Sequence, residues 1–141
     1  MKRFLAFCLL LLPVLVSAQV PSPTVVAANQ VMIFAGLPML PWDAPNFQCA
    51  AWNNISKGVY ATWTTDEAGL KAFQGQFGEE ISPIPEELLA TGNNTPGWFA
   101  PAKIKNGSVA ARDRRFNGAP ERVRVYIDRD NLRIYFYYGW G

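Results

Sequence analysis

Near its C-terminal end the chain alternates with a period of two on both arms of one turn. Val123, Val125 and Ile127 point one way between Arg122 and Ile127. Asp128-Arg129-Asp130-Asn131 then reverses the chain, and Leu132, Ile134, Phe136 and Tyr138 share the same apolar side. Residues two apart in a strand lie on one face, so the pattern predicts an antiparallel hairpin over Arg122–Asp128 and Leu132–Tyr138. Its apolar face needs a covering layer, and Val123, Val125, Ile134 and Phe136 are expected to lie beneath a helix. Arg122, Arg124, Arg133, Tyr135 and Tyr137 occupy the other face. That mixture of arginine and tyrosine suits contact with a protein.

Upstream, Phe47–Trp52 and Val59–Thr64 read as strands joined by the polar loop Asn53–Gly58. A helix follows. Thr64 with Glu67 three residues on fits a capping box, and Ala68, Ala72 or Phe73, and Phe77 recur at helical spacing, which predicts a helix over Thr65–Phe77. Ser82-Pro83 can open a short turn through Leu89. Asn106-Gly107 is a favoured hairpin pair that would set Ile104 opposite Val109. Val31–Phe34 reads as a short strand, and Gly36–Pro45, with three prolines around Trp42, as an irregular loop. The fold class expected is α+β: an antiparallel sheet of about four to five strands with one main helix packed on one face.

The N-terminus carries an address. Lys2 and Arg3 precede thirteen apolar residues, Phe4–Val16, and Val16-Ser17-Ala18 presents small side chains where an export peptidase cuts. Thirteen helical residues span only about 20 Å of a roughly 30 Å hydrocarbon layer, so a cleaved signal peptide over 1–18 is the better reading than an anchor. A flexible leader over 19–29 and a single domain over 30–141 complete the expected organisation. The mature chain would be periplasmic or extracellular, with no membrane span. It would carry eleven basic and eleven acidic side chains, a balance that argues against nucleic acid as a partner.

The absence of histidine from the sequence removes the histidine-dependent triads and dyads. Loss of Cys8 with the signal would leave Cys49 alone. With neither histidine nor a second thiol, ordinary zinc sites are excluded, and neither nucleotide-binding glycine pattern occurs. No metal or other cofactor is expected. Cys49 reads as a buried thiol acting as a small hydrophobe, with a disulfide-linked dimer as its alternative fate. The acidic pairs Glu79-Glu80 and Glu86-Glu87 read as solvated surface rather than a carboxylate dyad.

Two features point to binding. Charge is segregated: residues 19–100 carry two lysines against seven acids, and 101–141 nine basic residues against four acids. Arg112, Arg114 and Arg115 concentrate the positive end. Tryptophan also occurs in loops, most clearly at Trp98-Phe99. The candidate binding residues are therefore Trp98, Phe99, Arg112, Arg114, Arg115, Tyr135 and Tyr137, with no catalytic or metal-ligating set. These readings point to an exported, non-enzymatic binding or inhibitory module acting on a protein partner. The alternatives are a domain contacting carbohydrate or peptidoglycan, with weak carboxylate-dependent hydrolysis, and a purely structural envelope protein.

Overall fold

The computed structural model describes residues 20–89, 92 and 94–141. The expected signal peptide lies outside the described residues. Five strands form one antiparallel sheet: β1 (Gln48–Asn53), β2 (Lys57–Thr64), β3 (Gly107–Phe116), β4 (Ala119–Asp128) and β5 (Arg133–Trp140), in the order β1-β2-β5-β4-β3. The C-terminal hairpin pairs Val125 with Phe136 and Ile127 with Ile134, and β5 then docks on β2, setting Ala61 opposite Phe136. The last strand of the chain thus lies at the centre of the sheet. Val59, Ala61, Trp63, Val123, Val125, Ile127, Ile134, Phe136 and Tyr138 build one buried face.

Two helices cover that face, not one. Helix α1 (Pro23–Ala35) occupies the stretch expected to be leader and strand. Its boundaries follow from local chemistry: the Ser22 hydroxyl accepts from Val25 N at 3.3 Å, Pro23 takes the first turn, and Gly36 closes the helix with φ 67°. The run Val31–Phe34 is too short for periodicity to separate helix from strand. Burial of Ala28, Val31, Met32 and Ala35 against the sheet decides for helix. Asn29, also buried, accepts from Leu40 N at 3.0 Å and so ties down the proline-rich loop.

Helix α2 is shorter than expected, Glu67–Gln74, because the cap lies two residues further on. Asp66 Oδ1 accepts from Gly69 N at 2.7 Å, while Thr64 ends β2 and bonds to Pro45 O. Leu70 and Phe73 turn inward, whereas Ala68 and Ala72 are exposed. Phe73 meets Trp63 and Phe136 edge-on.

Strand β3 replaces the hairpin expected at Asn106-Gly107. Gly107 opens the strand opposite Asp128, and Val109 pairs with Tyr126 on one side and Ile81 on the other. The tight turn falls instead at Asn117-Gly118, with φ 46° and 79°, the two left-handed residues that a type I′ turn requires. Leu132 also departs from expectation. It lies in the turn before β5, is 37% exposed, and holds φ 49°, a conformation that a branched side chain disfavours. Leu132→Gly should therefore raise the unfolding free energy by roughly 1 kcal/mol, read as a higher urea midpoint.

The second face of the sheet is covered too. The chain between α2 and β3 crosses it, bringing Ile84, Leu88, Leu89, Trp98, Phe99 and Ile104 onto Tyr60, Val109, Tyr126, Tyr135 and Tyr137. Single 3₁₀ turns at Glu86–Leu88 and Pro101–Lys103 shape the crossing. Tyr126 Oη donates to Leu88 O at 2.6 Å, and the Tyr60 and Thr95 hydroxyls lie 3.2 Å apart. The sheet is therefore sandwiched between a helical layer and an irregular one.

Candidate functional site

The covering segment leaves one corner of the second face open. There the register aligns Trp52, Gly58, Gly139 and Arg122 in one row across β1, β2, β5 and β4. The two central positions are glycines, and the reason is steric. A Cβ at Gly58 would overlap the Trp52 indole, and one at Gly139 would overlap the Tyr137 phenol. Each aromatic side chain thus lies down over the backbone of a neighbouring glycine. Above them opens a cleft of about 340 Å³ lined by Trp52, Ser56, Pro120, Arg122, Tyr137 and the end of β5, Gly139–Gly141. That volume is at the small end of the range for ligand sites, about 300–1,000 Å³.

Charge at this corner is set by β3 and β4. Asp113 stands directly across from Arg122. Its carboxylate is taken by the buried Arg124, whose two terminal nitrogens donate to the two oxygens at 2.6 and 3.1 Å. These bonds hold Asp113 below the usual carboxylate range. Arg122 is exposed, and no hydrogen bond or ion pair of its guanidinium occurs among the described residues. The cleft therefore joins aromatic side chains to an exposed cation whose charge also helps to lower the Asp113 carboxyl.

Of the candidate residues from sequence, only Tyr137 lines this cleft. Phe99 is the centre of the second core, 4% exposed, with its ring edge-on to Tyr60, Tyr126 and Tyr135. Trp98 lies half-buried beside it, and Tyr135 beneath it. The Arg/Tyr face is thus largely roofed rather than open. The arginine cluster is divided by strand alternation. Arg112 and Arg114 lie on the helical side, where both reach the buried Glu121 at 3.1 and 2.6 Å. Arg115, on the opposite side, donates to Gly118 O in the turn. Trp98 and the Arg112–Arg114 pair therefore lie on opposite faces of the sheet.

Glu121 organises the strongest polar cluster. Its side chain has no exposed surface, and Tyr138 Oη donates to its second oxygen at 2.8 Å. Arg112 Nε is buried without a hydrogen-bond partner, so one donor is left over. Burial, then the bond to Glu121, push the Tyr138 phenol well above its ordinary value of 10; burial raises Tyr135 and Tyr137 as well. A raised phenol contributes stability that is complete below the unfolded value and is lost as pH climbs through the folded one. The urea midpoint should hold to about pH 10 and fall above it, and Tyr138→Phe should flatten that fall.

Elsewhere, Glu80 pairs with Arg129, and hydrogen bonds from Ser108 and Arg129 lower its carboxyl. Cys49 is a free thiol packed half-buried against the main core, and burial raises its pKa. Among the described residues, no group of three or more cysteines and acids is placed to hold a metal ion, and no helix is long and apolar enough to cross a membrane. No protein family, curated protein or solved structure matches the chain.

Sequence reasoning passed over Trp52, Gly58, Gly139 and Arg122 as a group because they are far apart in the chain. A signal was nevertheless present, in two strand glycines that each lie near an aromatic residue, since glycine in a strand marks close approach of another group.

Proposed function

We propose that the protein is an exported, non-enzymatic binding module that holds a ring-bearing group of an envelope or extracellular partner in the Trp52–Tyr137–Arg122 cleft. The paired glycines beneath the two aromatic side chains carry this reading. Glycine in the middle of a strand costs stability relative to a residue with a side chain. Here it appears in two adjacent strands at one level, and what it permits is the close approach of two aromatic side chains to the backbone. Export rests on the N-terminal charge, apolar run and small-residue site. The non-enzymatic part rests on the missing histidine and the single cysteine left after cleavage.

The test is co-sedimentation of the purified protein with insoluble wall polymer, alongside capture from envelope extract. Retention should be lost in Trp52→Ala and in Gly58→Ala, which evicts the indole, while circular dichroism stays that of the folded protein. Retention that survives both changes sinks the cleft as the binding site.

A protein partner along the edge of β3 is the second reading. Its support is that β3 is an edge strand, bridged on its outer side by Ile81 at Val109, and that Arg115 stands exposed on the part beyond that bridge. Arg115→Glu would abolish capture in that case and leave it unchanged in the first.

A further inference from the structure

We infer that the cleft recognises a saccharide ring bearing a single carboxylate. The inference rests on the reading of this corner as a binding site and names its ligand class. The floor comes first. Trp52 and Tyr137 lie over neighbouring glycines of paired strands and each packs tilted against Tyr60, so both belong to one face of the sheet. A flat aromatic ligand is best held between two ring faces. A pyranose needs only one, because its C–H face packs on an aromatic ring while its hydroxyls point outward to polar groups. Three lining residues carry polar side chains, Ser56, Tyr137 and Arg122.

The charge comes second. Arg122 would ordinarily pair with Asp113 across the strands, but Arg124 already occupies both oxygens of that carboxylate. A guanidinium without a partner, at the rim of an aromatic floor, fits a carboxylate in a two-pronged pair. One cation lines the cleft, with a carboxylate close behind it. That balance suits a monoanion and disfavours a phosphate dianion. Sugar acids carry this charge directly on the ring or one short substituent away.

The experiment titrates the purified full chain with three probes, a galacturonate trimer, the corresponding neutral galactose trimer and triglutamate, followed by NMR shifts of the Trp52 indole and the Gly139 amide. The acidic sugar should bind about tenfold more tightly than the neutral one. Arg122→Gln should erase that difference while leaving weak binding of both sugars. Arg122→Lys should restore only part of it. Equal binding of the two sugars by the unaltered protein overturns the inference but keeps the cleft as a binding site. Triglutamate binding as tightly as the acidic sugar also overturns it, because the ring would then contribute nothing. If no probe shifts either signal, the inference fails. Trp52→Ala in the sedimentation assay then decides separately whether the cleft binds anything.

Discussion

Glu121→Ala is expected to lower the unfolding free energy by about 3–5 kcal/mol, the usual cost of removing one member of a buried ionic cluster. The carboxylate is fully enclosed and is reached by Arg112, Arg114 and Tyr138. Without it, two guanidinium groups and a phenol would face one another beside Trp140 and Phe116, with no acceptor between them. Like charges would repel, and the Tyr138 hydroxyl would lose the carboxylate to which it donates. Arg112→Met should cost far less, about 1 kcal/mol or below. Arg114 and Tyr138 still satisfy Glu121 in that variant, and the unpartnered Arg112 Nε is removed. Urea unfolding of the two variants measures the contrast. Equal losses would mean that the cluster does not centre on the carboxylate.

Phe99→Ala should cost a similar amount, about 3–5 kcal/mol, for a different reason. Its ring is the hub on which Tyr60, Tyr126 and Tyr135 converge from three strands. Deleting it leaves a cavity under a segment that has little regular secondary structure to hold it in place. The loss should therefore be accompanied by protease cleavage between Ile81 and Asn106, with α1 and α2 still protected. Trp98→Ala, removing a half-buried neighbour, should cost less. A Phe99→Ala protein as stable as the original would show that the irregular layer does not hold the second face.

Much of the helical side of the sheet was legible in the sequence because it depends on local rules. The alternation of Val123, Val125 and Ile127 against Ile134 and Phe136 puts all of them on one face, and that face is buried. The β1–β2 hairpin likewise follows from two apolar strands flanking a polar loop. Misreadings arose where two local signals competed. Asn106-Gly107 and Asn117-Gly118 are the same dipeptide. The second forms the turn because Ala111–Phe116 and Ala119–Arg124 can pair around it, whereas Gly107 pairs with Asp128. Val31–Phe34 suits strand and helix alike, and its burial against the sheet, between the Ser22-Pro23 start and the Gly36 stop, decides for helix.

The sequence by itself determined that the chain builds an antiparallel sheet with a buried helical side, that histidine chemistry is absent, and that its N-terminus carries an export pattern. Period, composition and charge are properties of neighbouring residues, so they survive without coordinates. Only the tertiary structure decided which aromatics are core and which are surface. Tyr135 and Tyr137 alternate identically along β5, yet Tyr135 lies under Phe99 while Tyr137 reaches the cleft. The same holds for the arginines. Arg112 and Arg114 converge on Glu121, and Asp113, though directly across from Arg122, accepts both its hydrogen bonds from the diagonal Arg124, a distinction that strand register alone does not set.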